Sequence, residues 1–145
     1  KLGQDYVLYY TSGLRTDIPK DFNLPNMIPL GKLSEEELVQ WYNKCDALLF
    51  PTRLEGFGYS VAEAMACGKP VVATNCSSIP ELVEDGKNGF LCEMDNVDDF
   101  VNKIRFINRD RKMYTKISNK NIQQTKRIFN IKKEYETIYR EALIK

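Results

Sequence analysis

The chain has 145 residues, enough for one domain with a buried core, and no apolar run long enough to span a bilayer. Its 21 basic and 20 acidic side chains leave a net charge of +1, and it lacks histidine, which excludes Ser-His and Cys-His nucleophile pairs and removes the commonest metal ligand. Cys45, Cys67, Cys76 and Cys92 form no Cys-x-x-Cys pair, so they read as reduced, core-lining residues rather than a zinc site or redox dithiol.

The chain opens on KLGQDYVLYYTSG, without an initiator Met and directly into a strand-like run, as a piece of a larger domain would. Nothing resembles a secretion signal, so a cytoplasmic setting is expected. Short apolar runs then alternate with helical patterns, the signature of a parallel sheet covered by helices, here within a single domain over residues 1–145. Tyr6 to Tyr10 and Met27 to Leu30 read as strands. Ser34 to Glu37 is a capping box that opens a helix with Leu38, Trp41, Tyr42 and Cys45 on one face. Ala47 to Phe50 is a strand, Pro51 to Phe57 a loop, and Gly58 or Ser60 through Cys67 a helix ended by Gly68 and Pro70. Val71 to Thr74 and Phe90 to Cys92 are strands, with Ser78 to Glu81 a helix cap between them. Asp95 or Asn96 starts a helix with Val97, Phe100, Val101, Ile104 and Ile107 at helical spacing. A last helix is expected from about Asn130, with Tyr135, Ile138, Tyr139 and Leu143 in one stripe.

The loop and helix from Thr52 to Val72, TRLEGFGYSVAEAMACGKPVV, carry the candidate chemistry. In open parallel sheets, ligands bind beyond the carboxyl ends of strands, where loops feed helix N-termini. Gly56 and Gly58 let backbone amides approach a ligand, and a helix N-terminus favours an anion such as a diphosphate. Glu55 and Glu63 do not suit phosphate, but an ionised carboxylate accepts hydrogen bonds from adjacent hydroxyls. Loop acid, glycine turn and helix acid therefore match the sugar, phosphates and second diol of a nucleotide sugar. The local pattern leaves a second role open for Glu63, because Ser60-Val61-Ala62-Glu63 is also a capping box. Glu55, Gly56 and Gly58 beside it favour the ligand role, since a generic cap needs none of them.

Glu55-Gly56-Phe57-Gly58, then Glu63, then Ala64-Met65-Ala66-Cys67-Gly68-Lys69-Pro70-Val71-Val72 resembles the C-terminal domain of the retaining glycosyltransferases of family 4, which have the GT-B arrangement. Met27 to Gly31, Pro51-Thr52, Ile79 to Val83 and Asp85 to Phe90 extend the likeness across nearly the whole chain. The resemblance implies a Rossmann-like α/β half of a GT-B enzyme that binds a nucleoside-diphosphate sugar. It implies transfer of a hexose-type sugar with retention, to a glycan, lipid or other acceptor, as in polysaccharide biosynthesis. Glu55 is the residue it assigns to the reaction, through the donor-sugar hydroxyls, with no side chain as a clear general base. Glu63 would hold the ribose. Amides around Phe57, Gly58 and Tyr59 would lie against sugar and phosphates, and Gly31, Lys32 and Leu33 beside the base.

Three departures accompany the likeness. The family's first strand-helix unit, with an Arg and a Lys that clamp the diphosphate, and the acceptor domain before it are not found in these residues. The glycine-rich turn is reduced to Thr11-Ser12-Gly13. Tyr59 stands where an aliphatic residue is usual. This chain alone is therefore expected to be inactive. No cofactor is expected, and no metal, because there is no Asp-x-Asp.

Charge is unevenly spread, acidic from Glu81 to Asp99 and basic from Arg109 to Lys133. The ordinary reading is a solvated helix surface. The alternatives are peripheral contact with an anionic membrane or a polyanion-binding domain; nucleic acid is not expected, for want of basic and aromatic residues on one face. A non-enzymatic nucleotide-sugar sensing module is the remaining rival.

Overall fold

The computed structural model describes the backbone of residues 1–11 and 24–143, with side chains as far as Arg127. The elements in chain order are β1 (Leu8–Thr11), β2 (Met27–Gly31), α1 (Glu35–Lys44), β3 (Leu48–Phe50), α2 (Tyr59–Ala66), β4 (Val71–Thr74), α3 (Ile79–Leu82), β5 (Phe90–Cys92), α4 (Val97–Arg109) and α5 (Arg111–Leu143). The expected α/β class with parallel strands is present, but the strands form two sheets. β1 pairs with β2, and separately β3, β4 and β5 pair in that order, all parallel.

β4 is the centre of the larger sheet. Val71, Val72, Ala73 and Thr74 are all buried, as a parallel strand covered on both faces requires. Side chains alternate across a strand, and the core divides accordingly. Val71 and Ala73 pack with Val61, Ala64 and Met65 of α2 and with Ile79 and Leu82 of α3. Val72 points the other way, into Phe90, Cys92, Ile107 of α4 and Ile117 of α5. Cys92 is a buried free thiol, pushed up to about 12 first by burial and then by Asp99, whereas Cys45, Cys67 and Cys76 are half-buried and also unpaired.

The helices start and stop for local reasons. The Ser34 box forms as expected: Ser34 Oγ accepts from the Glu37 amide at 3.2 Å, and Glu37 Oε2 accepts from the Ser34 amide at 2.8 Å. α2 ends on Gly68 at φ +70, with the Lys69 amide on the Ala64 carbonyl and the Gly68 amide on the Met65 carbonyl, both at 2.9 Å. That double bond pattern satisfies the last carbonyls of the helix. On α4, Asn96 caps the Asp99 amide at 3.1 Å, and Val101 and Ile107 are buried. Val97, expected on that apolar face, is the first residue of α4 and is 59% exposed.

The largest difference from expectation is α5, which begins at Arg111 rather than near Asn130. Its inward positions include Ile117, Asn121, Gln124 and Thr125, so polar residues interrupt the apolar period. Asn121 Nδ2 donates to the Lys69 carbonyl at 2.9 Å, and Gln124 Nε2 to the Leu82 carbonyl at 3.2 Å. Asn88, fully buried, donates to the Leu82 carbonyl at 2.9 Å and to Gln124 Oε1 at 2.7 Å. The stripe of Tyr135, Ile138, Tyr139 and Leu143 lies outside the described side chains, and Ser12-Gly13 outside the described residues. No helix among the described residues is long and apolar enough to cross a membrane.

Candidate functional site

The loop that leaves β3 runs from Pro51 into Gly58 and is held from the side by the segment after β4. Cys76 Sγ lies 3.5 Å from the Thr52 carbonyl, and Ser78 Oγ donates to the Glu55 carbonyl at 3.4 Å. Thr52 Oγ1 donates to the Leu54 carbonyl at 3.0 Å, which tightens the turn ahead of Glu55. Ser78 was expected only as a helix cap. It precedes α3 but makes no side-chain cap there, and its hydroxyl serves the loop instead.

Gly58 is the N-cap of α2, in the left-handed region at φ +85. A Cβ at this position would stand 3.1 Å from Ile79 Cδ1 and 3.3 Å from Leu82 Cδ1, so α3 packs directly against the turn. The position therefore demands glycine on two counts, conformation and space. No side chain caps α2 and its first turn holds no acid, so its leading amides stay open to a ligand.

This start excludes the capping-box role of Glu63. With Gly58 as N-cap, Ser60 is already inside the helix, and Glu63 lies beyond the first turn. The Ser60 to Glu63 capping box is not formed. Glu63 is exposed and instead accepts, through Oε2, a hydrogen bond from the Tyr42 hydroxyl at 3.1 Å. Burial first, and then the Glu63 charge, push the Tyr42 phenol well above its ordinary range, which keeps it a donor.

Glu55 is half-buried, and its Oε1 accepts from the Gly56 amide at 3.0 Å. Phe57 and Tyr59 are exposed and pack against each other, ring centroids 5.0 Å apart. Glu55, Gly56, Phe57, Gly58 and Tyr59 thus form one continuous turn, with Glu63 farther along α2. Gly31 ends β2, and Lys32 and Leu33 lie between it and α1. Among the described residues no hydrogen bond or ion pair joins them to positions 55–63, and α1 makes the link through Tyr42. A cavity of about 260 Å³ adjoins the start of the loop, lined by Leu49, Pro51, Arg53, Met94, Val97 and Phe100 among others. It touches none of the expected site residues.

Tyr42 is the residue that sequence reasoning missed. It reads as one member of an apolar helix face, yet a half-buried phenol needs a hydrogen-bond partner, and that need was the available signal.

Comparison with known proteins places this geometry. The model of the family described as glycosyl transferases group 1 matches residues 17–124. An uncharacterised glycosyltransferase of Methanocaldococcus jannaschii is 37% identical over 122 residues, covering 80% of this chain and 35% of the relative. The crystal structure of Anabaena HepE in complex with UDP-glucose superposes with a TM-score of 0.71 at 28% identity, over 79% of this chain and 32% of that one. The C-terminal domain of a glycosyl transferase group 1 protein, LpcC, from Francisella tularensis gives 0.62 at 29% identity, over 68% of this chain and 51% of that domain's chain. The chain thus spans about a third of the archaeal relative. The parallel sheets, the Glu-Gly-Phe-Gly turn and these matches lead to one assignment: the chain belongs to the glycosyl transferases group 1 family.

Proposed function

We propose that the chain binds the donor of a retaining, family 4 hexosyltransferase. The observation that carries this reading is the uncapped N-terminus of α2 lying between two carboxylates, Glu55 before the turn and Glu63 after it. On this reading Glu55 takes the hydroxyls of the donor sugar, and the amides at Phe57, Gly58 and Tyr59 take the diphosphate. Glu63 takes the ribose diol, and Gly31 to Leu33 lie beside the base. The whole protein transfers the sugar to a glycan or lipid acceptor held outside these 145 residues, so this chain binds donor without turning it over. The Anabaena relative was solved with UDP-glucose, which supports a uridine nucleotide sugar as first test ligand. Rate acceleration rests on orientation and on stabilising the departing diphosphate. The reading includes no metal, because the sequence lacks Asp-x-Asp.

Calorimetric titration with UDP-glucose, with and without EDTA, tests it. Binding to the wild-type chain that the chelator leaves unchanged is expected. Binding lost on adding EDTA removes the metal-free part, and no binding of any nucleotide sugar removes the donor reading.

A second reading concerns location, and the solvent face of α5 favours it. Lys112, Lys116, Lys126 and Arg127 are exposed and fall within roughly a third of the helix circumference. None pairs with an acid among the described residues. Residues 111–127 contain no Asp or Glu, and Lys120 alone among their cations is drawn inward, to Glu84 at 2.9 Å. We propose that this stripe rests on an anionic bilayer, each cation contributing about 1 kcal/mol near the surface. Co-sedimentation with vesicles of rising anionic lipid content should rise accordingly and fall with salt. Binding that ignores anionic lipid returns the stripe to ordinary solvation.

A further inference from the structure

We infer that Tyr42 is a positioning residue for Glu63, and that it sets how strongly the site distinguishes a nucleoside that carries a vicinal diol from one that does not. The inference rests on the reading that Glu63 meets the ribose. Trp41 and Tyr42 are neighbours on α1 and point to different elements. Trp41 packs on Tyr9 of β1 with ring centroids 4.7 Å apart, which ties the helix to the smaller sheet. Lys69 Nζ donates to the Asn43 carbonyl at 3.1 Å, which ties the next position to the end of α2. Held at both sides, α1 carries the Tyr42 ring against the core formed with α2 and presents its hydroxyl to Glu63.

That hydroxyl has one proton and two acceptors within reach, Glu63 Oε2 at 3.1 Å and the Ser60 carbonyl at 3.4 Å. The carboxylate is nearer and charged, so it takes the proton. A glutamate on an exposed helix face otherwise samples many rotamers, and fixing it on ligand arrival opposes binding. Tyr42 does that fixing in advance, which is preorganisation in the ordinary sense. With one lone pair of Oε2 engaged by the phenol, Oε1 and the remaining lone pair of Oε2 are left to accept two adjacent hydroxyls. α1 also begins at Glu35, one N-cap residue after Leu33, so the same helix joins the segment assigned to the base with the acid assigned to the ribose.

The test measures UDP and 2′,3′-dideoxy-UDP affinities for the wild-type chain, Tyr42→Phe and Glu63→Gln. Phenylalanine keeps the packed ring and removes only the donor. Tyr42→Phe should weaken UDP by about fivefold and leave the dideoxy analogue unchanged. A lowered melting temperature with the affinity ratio unmoved makes Tyr42 merely structural and overturns the inference. If Glu63→Gln collapses the ratio while Tyr42→Phe does not, the ribose reading stands and the positioning inference falls. If Glu63→Gln leaves the ratio intact, or wild type binds neither nucleotide, both fall together.

Discussion

Gly58→Val should lower stability by about 3 kcal/mol and remove measurable binding of UDP-glucose, the sum of a left-handed backbone that a branched residue resists and an overfilled contact. The new side chain meets Ile79 and Leu82, which are 0% and 6% exposed and cannot swing away into solvent. The turn must therefore move, and the open amides of α2 move with it. Gly56→Ala is the matched control: nothing lies within 4 Å of a Cβ there, and its backbone is not left-handed. Its stability should stay within about 0.5 kcal/mol of wild type. Urea denaturation compares the two variants, and equal losses from both would mean that packing on α3 is not what shapes the turn.

Glu55→Gln and Glu63→Gln should separate sugar recognition from nucleotide recognition. Each substitution keeps shape and removes the charge that strengthens a hydrogen bond, a loss of about 1.5–3 kcal/mol or roughly 10–150-fold in affinity. Glu55→Gln should weaken UDP-glucose by that amount while bare UDP binds as before. Glu63→Gln should weaken both alike. Because the capping box is absent, the Glu63 change should also leave the unfolding midpoint nearly where it was. A large drop in stability with unchanged UDP affinity would return Glu63 to a structural role.

What was legible in the chain was local. The Ser34 cap, the glycine stop of α2 and the apolar run of β4 all rest on neighbours within a few residues, and each appears where its pattern stands. The start of α2 was legible only as a choice between Gly58 and Ser60, because Ser60 to Glu63 satisfies the cap pattern as well as any true helix start. What displaces it is Gly58 seated on Ile79 and Leu82, a contact between residues more than twenty positions apart. The division into two sheets depends on strand pairing, which no single segment encodes. α5 was hidden for a third reason. Its buried face carries Asn121, Gln124 and Thr125 where a hydrophobic stripe would have announced a helix, so the period exists in the structure but not in the hydropathy.

Those same amides give α5 a keyed seat rather than a greasy one. An apolar helix face can slide by a turn and find new contacts nearly as good, but the amides of Asn121, Gln124 and Asn88 fit the carbonyls of Lys69 and Leu82 in one register only. A slip strands buried donors without acceptors, so intermediate placements are unfavourable and the helix is either latched or released. The latch closes on Lys69, just past the end of α2, and on Leu82, the residue that supports Gly58. The longest helix of the fold is thereby geared to the turn at its far side.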